Sequence, residues 1–214
     1  MLTINNLTLN YGKNQPLNGC SFTCEPGKTY GIIGLNGAGK TSLLNCLYGF
    51  AQKSSGKISY NNSTLSRNDI AYLETQNYYY SNITGEEYLS LFPQNNQALI
   101  EEYLGYFQLP LHQIIDGYST GMKKKLAIIG FLHFDRPIMI LDEPFNGLDM
   151  EANYYLEKMI LNLKTKNKII LITSHILGTL FPICDEILWL NNGKIERNFT
   201  KNEFKAIEST LFDQ

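Results

Sequence analysis

The stretch Gly34-Leu35-Asn36-Gly37-Ala38-Gly39-Lys40-Thr41-Ser42 decides how the rest of this sequence is interpreted. It matches the pattern G-x-x-x-x-G-K-[ST], with the apolar run Thr29–Ile33 before it and a helix-like run, residues 42–47, after it. Glycines let the backbone curl so that successive N–H groups face phosphate oxygens, and the following helix directs its positive end at the same anion. The pattern predicts a phosphate-binding loop; the alternative is a glycine-rich turn without a ligand.

Residues of this loop have separate predicted roles. Lys40 would bridge the β- and γ-phosphates, and the hydroxyl of Thr41 would hold Mg²⁺. The residues predicted to surround the phosphates are Gly34, Asn36, Gly37, Ala38, Gly39, Lys40, Thr41 and Ser42.

The bulk composition is that of an ordinary globular protein. The chain has 214 residues, of which 43% are hydrophobic and 18% charged, and this length allows one substantial core with a small satellite subdomain. A net charge of -2 gives no sign of a nucleic-acid-binding surface. We expect no membrane span and no signal peptide, and the absence of C-x-x-C pairing favours reduced, buried thiols in the cytosol. The cysteines are Cys20, Cys24, Cys46 and Cys184.

The pattern along the chain predicts a single domain, residues 1–214, in two parts. Residues 1–75 and 131–214 read as a strand-rich core, and the tyrosine-rich residues 76–130 read as an inserted helical subdomain. Near-continuous apolar runs at 138–141 and 168–173, with a helix pattern between them, are typical of a β-α-β unit with buried parallel strands. We also predict a hairpin around Asn191-Asn192-Gly193 and a final helix over 204–211.

Two carboxylates, Asp142 and Glu143, follow the apolar run 138–141. An acid at the carboxyl end of a strand in an open α/β sheet faces the ligand crevice. Asp142 would hold Mg²⁺ together with Thr41, and Glu143 would polarise the attacking water as a general base. The alternative is a solvated strand end that carries Asp-Glu by chance.

With these motifs in place, the chain resembles the ATP-binding cassette (ABC) family. The family's signature resembles Tyr118-Ser119-Thr120-Gly121-Met122, which departs from the commonest form at Thr120 and Met122. The resemblance implies that Ser119 and the N–H of Gly121 bind the γ-phosphate of an ATP held by a second cassette. This form of the signature is similar to that of exporter cassettes for antibiotics, peptides, polysaccharides or haem. The plainer alternative is a helix N-cap ahead of a basic helix face, with the lysines at 123–125 solvated or facing anionic lipid.

Further matches carry implied roles in the same way. Phe145-Asn146-Gly147-Leu148-Asp149 resembles the D-loop, which crosses the dimer interface, with Asp149 as its polar contact. His175 is similar to the switch histidine, and Tyr11 to the aromatic residue that stacks on adenine. The glutamine of the Q-loop falls on Thr75 or, after a shift of one residue, on Gln76, which would then reach Mg²⁺ or the water.

The resemblance implies a fold class: an α/β protein with a P-loop NTPase (RecA-like) core, an antiparallel β subdomain and an inserted α-helical subdomain. It implies the cofactors ATP and Mg²⁺, with Lys40, Glu143 and His175 as the catalytic residues. ATP would be sandwiched between two copies, as a homodimer, because one copy lacks the signature half of its own site.

The resemblance further implies the ATPase subunit of a transporter, which energises export through a separate integral membrane permease and lies peripherally on the inner face of the membrane. The permease would dock around 75–88, where Tyr78, Tyr79, Tyr80 and Tyr88 serve either that interface or the subdomain's own core. The alternative is a non-transport ABC ATPase acting on nucleic acid or ribosomes. The sequence has neither the long coiled coil nor the second cassette of such proteins, and it does not identify the cargo.

Overall fold

The computed structural model describes residues 1–212, and the side chains of residues 1–210. These residues contain ten strands and seven α-helices, with short 3₁₀ turns between some of them. The strands are β1 (Leu2–Tyr11), β2 (Asn14–Cys24), β3 (Thr29–Ile33), β4 (Ser55–Tyr60), β5 (Ser63–Thr64), β6 (Ile70–Leu73), β7 (Ile138–Asp142), β8 (Ile169–Thr173), β9 (Glu186–Asn191) and β10 (Lys194–Thr200). The helices are α1 (Lys40–Tyr48), α2 (Gly85–Ser90), α3 (Gln97–Phe107), α4 (Thr120–Leu132), α5 (Met150–Thr165), α6 (Leu177–Leu180) and α7 (Ile207–Phe212).

A six-stranded sheet in the order β10-β9-β3-β8-β7-β6 forms the centre of the chain. Strands β9, β3, β8, β7 and β6 pair in parallel, and only β10 is antiparallel to its neighbour. Every residue of β3, β7 and β8 is buried, because a parallel sheet is covered on both faces. The carboxyl ends of β3, β7 and β8 therefore meet at one edge, where the phosphate-binding loop, Asp142 and Glu143 follow their strands.

A second sheet, in the order β2-β1-β4-β5, is antiparallel throughout. Its apolar face packs with α1 and one face of the parallel sheet in a single cluster of buried residues. The first strand of this sheet, β1, continues through Asn6 (φ 48°) with irregular pairing on both sides. The two sheets confirm the predicted fold class, a P-loop core with an antiparallel β subdomain.

Helices α2, α3 and α4 pack over the other face of the central sheet, in a second cluster of buried residues that includes side chains of α5. Helices α2 and α3 lie within residues 76–130, where the sequence predicted helices. Helix α4 runs to Leu132, two residues beyond the predicted end of the helical subdomain. The division into 1–75, 76–130 and 131–214 stays a prediction.

The hairpin predicted around Asn191-Asn192-Gly193 is confirmed by the pairing of β9 with β10. The predicted final helix begins later than expected, because residues 201–206 form 3₁₀ turns before α7. All four cysteines are buried and free, as predicted. Within residues 1–212, no helix combines the length and the apolar character needed to span a bilayer.

Candidate nucleotide-binding and hydrolysis site

The phosphate-binding loop joins β3 to the first residue of α1. Gly37 (φ 84°) and Gly39 (φ 106°) adopt left-handed conformations that glycine reaches without a steric cost. A Cβ atom on Gly39 would lie 2.3 Å from the carbonyl oxygen of Pro16, so no larger residue fits at this position. Because α1 begins at Lys40, its unpaired N–H groups and the positive end of its dipole face the mouth of the loop.

The ammonium group of Lys40 lies inside this loop and is nearly buried. Its Nζ donates hydrogen bonds to the carbonyl oxygens of Gly34 (2.7 Å) and Leu35 (3.2 Å). Burial lowers the pKa of Lys40, and the charges of Glu143 and Asp142 oppose that shift. The lysine is therefore held at the phosphate position by neutral carbonyl groups, which can be exchanged for phosphate oxygens.

Asp142, at the end of β7, is held from two sides. The hydroxyl of Thr173, at the end of the neighbouring strand β8, donates to Asp142 Oδ1 over 2.5 Å. The hydroxyl of Thr41 lies 3.5 Å from the other carboxylate oxygen. Thr173 also accepts a hydrogen bond from the backbone N–H of Glu143 (2.9 Å), so this one side chain orients both acidic residues.

Glu143 sits in a backbone conformation that is uncommon for its type, with φ of 48°. Such conformations cost about 1–3 kcal/mol and persist where the surroundings enforce them, often in functional sites. His175 Nε2 lies 2.9 Å from Glu143 Oε1, and the backbone N–H of His175 donates to Glu143 Oε2 over 3.2 Å. Burial raises the pKa of Glu143 above its usual range, and the charge and N–H of His175 limit the rise.

These groups surround a cavity of about 430 Å³. Of the predicted site residues, those that line it are Asn36, Gly37, Gly39, Lys40, Thr41, Ser42, Asp142, Glu143 and His175. A neighbouring cavity of about 350 Å³ is lined by Thr41, Asp142, Thr75 and Gln76 among others. Gln76 and Thr75 thus both lie beside the pair Thr41–Asp142, and the choice between them for the Q-loop role stays open.

Seven predicted site residues do not line the 430 Å³ cavity. Gly34 and Ala38 belong to the phosphate-binding loop and Gln76 lines the neighbouring cavity, whereas Tyr11, Ser119, Gly121 and Asp149 line neither. Tyr11 ends β1 with its ring exposed, paired with Asn14, which does line the cavity. Ser119 is the N-cap of α4 and accepts a hydrogen bond from the N–H of Met122 (3.2 Å). Asp149 is the N-cap of α5 and forms an ion pair with Lys125 (2.9 Å).

The lysines at 123–125 are not a uniformly solvated helix face, so that expectation is wrong. Lys124 is only 6% exposed, and its Nζ donates to the carbonyl oxygen of Glu74 over 3.4 Å. Burial lowers the pKa of Lys124 to about 8, against the opposing charges of Asp142 and Glu143. Helical spacing turns this middle lysine of the run inward, toward the segment that follows β6.

The tyrosines around residue 80 divide between the core and the surface. Tyr88 is buried in the core, and Tyr79 packs against it while its hydroxyl donates to the carbonyl oxygen of Lys123 (2.6 Å). Tyr78 and Tyr80 are 75% and 53% exposed and contact each other edge to face, with ring centroids 5.2 Å apart. These two rings form an aromatic surface on the loop that precedes α2.

The donor set fits ATP with Mg²⁺. The loop offers glycine N–H groups, a helix N-terminus and the Lys40 ammonium to phosphate oxygens, while Thr41 and Asp142 offer the hard oxygen ligands that Mg²⁺ prefers. Glu143 Oε1 is buried and receives no well-aligned hydrogen bond from the described residues, although His175 Nε2 lies 2.9 Å away, so this carboxylate oxygen can still accept from a water molecule. Bound Mg²⁺·ATP would supply the phosphoric anhydride bond and neutralise charge that develops on the phosphates.

Sequence reasoning missed two residues of this site. Thr173 holds Asp142 and the Glu143 N–H, and a hydroxyl at the end of an otherwise apolar buried strand was the available signal. Asn146 donates its amide N–H to Glu143 Oε2 (3.4 Å), but its motif indicated only an interface role.

Comparison with known proteins gives the family. The family model described as "ABC transporter" matches residues 17–146. The lantibiotic transport ATP-binding protein SrtF of Streptococcus pyogenes is 33% identical over 210 residues, which cover 91% of this chain and 89% of the relative. An uncharacterized ABC transporter ATP-binding protein of Nostoc is 34% identical over 213 residues; the match covers 92% of this chain but only 64% of that relative.

A solved structure described as the ATP binding subunit of an ABC transporter superposes with a TM-score of 0.87 at 30% identity, covering 99% of this chain and 93% of that one. A dimeric bacterial ABC transporter cassette gives a TM-score of 0.82 at 19% identity, covering 94% of this chain and 99% of that one, which shows the shared fold. The chain therefore belongs to the ABC transporter family as an ATP-binding protein and an ATPase. The resemblance inferred from the motifs is confirmed.

Proposed function

We propose that the chain is the ATPase subunit of an ABC exporter and works as a homodimer on the cytoplasmic face of a separate membrane permease. The observation that carries the dimer is the placement of Ser119 and Gly121 at the start of α4, outside the phosphate cavity of the same chain. A second copy can present this helix start, with its free N–H groups, to the open side of the cavity.

Within each site we assign Lys40 to the β- and γ-phosphates, and Thr41 and Asp142 to Mg²⁺, with Gln76 beside them. Glu143 takes the proton of the attacking water, and His175 orients Glu143 through the contacts at 2.9 and 3.2 Å. Tyr11 stacks on adenine, and Asp149 contacts the second copy.

Mixing two inactive variants tests the composite site. Lys40→Ala removes the phosphate half of a site, and Ser119→Arg blocks the signature half. Each variant alone is expected to be inactive, because both sites of its dimer are defective. A mixed dimer contains one site with Lys40 from one copy and Ser119 from the other, so ATPase activity should appear on mixing. A mixture as inactive as its components would contradict the composite site.

The exposed pair Tyr78 and Tyr80 supports a permease interface at the loop before α2. Replacing both by Ser should abolish co-purification with the permease from detergent-solubilised membranes and leave ATP binding intact. Tyr154→Ser is the matched control, because Tyr154 is 54% exposed on α5. Co-purification of ribosomes or DNA in place of a membrane protein would redirect the function to the non-transport class.

Export, as the direction of transport, is supported by the Tyr-Ser-x-Gly-Met form of the signature and by the name of the Streptococcus relative. With the permease reconstituted so that the cassettes face outward, added ATP should drive cargo into the vesicles. A lantibiotic peptide is the first probe, because that relative is named for lantibiotic transport. ATP-driven loss of preloaded cargo from such vesicles would indicate import instead.

A further inference from the structure

The tip of the hairpin between β9 and β10 contacts the phosphate-binding loop directly. The backbone N–H of Gly193 donates to the carbonyl oxygen of Ala38 (3.2 Å), and the carbonyl oxygen of Gly193 accepts from the N–H of Asn18 in β2 (3.0 Å). Gly193 thus uses both of its backbone groups to connect the loop with the antiparallel sheet. It lies outside every motif that we assigned to nucleotide binding.

The packing around Gly193 is too tight for any side chain. A Cβ atom there would lie 2.7 Å from the carbonyl oxygen of Pro16, 2.8 Å from the Cα of Leu17 and 2.9 Å from the N of Asn18. All three are backbone atoms of β2 and cannot turn aside as a flexible side chain would. The carbonyl oxygen of Pro16 that crowds Gly193 also crowds Gly39, where a Cβ atom would approach it to 2.3 Å.

The hairpin also contacts the beginning of the loop. A Cβ atom on Gly34 would lie 2.3 Å from the carbonyl oxygen of Leu190, in β9. Both ends of the phosphate-binding loop therefore rest against the β9–β10 hairpin or against the strand β2 to which the hairpin is bonded.

The hydrogen bond to Ala38 determines where a phosphate-binding N–H points. In a trans peptide the C=O of one residue and the N–H of the next are coplanar and point in opposite directions. When Gly193 holds the C=O of Ala38, the N–H of Gly39 is directed away from the hairpin. Gly39 lines the phosphate cavity, so its N–H belongs to the anion-binding side of the loop.

We propose that Gly193 is a positioning residue for nucleotide binding: through the N–H that holds the Ala38 carbonyl, it aligns the phosphate-binding loop for the anion. Substitution here moves β2 or the hairpin, and the loop moves with them. Misplacement by about 1 Å can cost as much as a hundredfold in an active site, so a loss of at least about tenfold in ATP affinity is expected.

Two glycine variants separate positioning from plain stability. Gly193 and Gly19 both have φ of 74°, so Ala is strained equally at the two positions, but a Cβ atom on Gly19 meets nothing within 4 Å. We expect both variants to melt at a lower temperature than the parent. Equilibrium binding of Mg²⁺·ATP, measured well below each melting temperature, should be at least about tenfold weaker for Gly193→Ala and within about twofold of the parent for Gly19→Ala.

A second measurement uses the unmodified protein, so it can be made even if Gly193→Ala does not fold. Coupling is reciprocal, so nucleotide bound to the loop must stabilise the hairpin tip if the tip aligns the loop. Amide hydrogen exchange of Gly193 should slow on addition of Mg²⁺·ATP, while that of Gly105, exposed on α3, should not change. Equal ATP affinity in the two Ala variants, or unchanged exchange at Gly193, overturns the proposal.

Discussion

The position of Glu143 was predicted from the sequence, and the structure adds its backbone conformation and its contacts. Its place after a buried apolar run predicted a carboxylate at the ligand edge of the sheet, and the cavity contains it. The left-handed backbone, the contact with His175 and the hydrogen bond from its N–H to Thr173 were not predictable, because they depend on strands far apart in the chain.

Glu143→Gln tests the assignment of the base. The amide keeps the size of the side chain but cannot accept the proton of water, so hydrolysis should fall by about a hundredfold or more while ATP affinity is retained. Steady-state ATPase assays and equilibrium ATP binding measure the two effects. Glu101→Gln, at an exposed position on α3, is the control and should leave both unchanged. Normal turnover by Glu143→Gln would show that another group acts as the base.

His133, which the motifs left unassigned, gives the protein a sensitivity to acid. Its ring is 3% exposed, Nδ1 donates to the carbonyl oxygen of Pro93 (2.8 Å), and Nε2 has no partner among the described residues. Burial lowers the pKa of His133 below 6.5, so the unfolded chain binds the proton more readily than the folded protein. The contribution of neutral His133 to the free energy of unfolding is therefore complete above about pH 6.5. It decreases below that pH, by at most about 1.4 kcal/mol per pH unit.

Replacing His133 by Asn keeps a donor for the Pro93 carbonyl and removes the titration. The melting temperature of this variant should fall less than that of the parent between pH 7.5 and 5.5, values about one unit either side of the unfolded histidine's pKa. His112→Asn is the matched control, since that side chain is 90% exposed, and it should keep the parent's pH dependence. If His133→Asn kept it too, other groups would account for the acid sensitivity.

Among the elements, α4 departs furthest from what the sequence predicted. Its position after the signature was expected, but Lys124 points into the protein, and Lys125 pairs with Asp149 at the start of α5. A run of lysines in the sequence predicts a solvated helix face. The sequence pattern carries no information about the neighbouring elements that cover part of that helix in the folded protein. The parallel strands were predictable, since burial on both faces leaves an uninterrupted apolar run in the sequence.

The start of α4 separates the two interpretations of Ser119. As an N-cap its hydroxyl contributes about 1 kcal/mol of stability, and Thr84 does the same for α2 through a capping box with Glu87. Ser119→Ala and Thr84→Ala should therefore lose similar stability in thermal melts. Only Ser119→Ala should also lose ATPase activity at saturating ATP, because its hydroxyl is assigned to the γ-phosphate of the other copy. Equal ATPase activity in the two variants would indicate that Ser119 acts only as a helix cap.

At the scale of the whole molecule, the two halves of the proposed site lie on different parts of one chain. The order of the motifs predicted this arrangement, because the signature belongs to the helical part and the phosphate-binding loop to the core. The sequence could not predict which surface faces a partner, since exposure depends on packing, as the division between Tyr88 and Tyr78 shows.

Dilution tests the need for a second copy. ATP turnover per chain should rise with protein concentration and level off once dimers predominate, since in the proposed homodimer each site is completed by the other copy. Glu143→Gln with Mg²⁺·ATP should sediment as a dimer, and Lys40→Ala under the same conditions as a monomer. Turnover per chain that stays constant down to the lowest measurable concentration would contradict the dimeric mechanism.

The burial of all four thiols makes this chain convenient for spectroscopic labelling. Burial raises the pKa of Cys46 to about 11 and that of Cys20 to about 12, so thiolate, the reactive form toward maleimides and methanethiosulfonates, is scarce at neutral pH. A single cysteine introduced at an exposed position such as Tyr154 would then carry a fluorophore or nitroxide without removal of the native ones. Distances between two labelled copies could be followed through a full catalytic cycle on an otherwise unaltered protein.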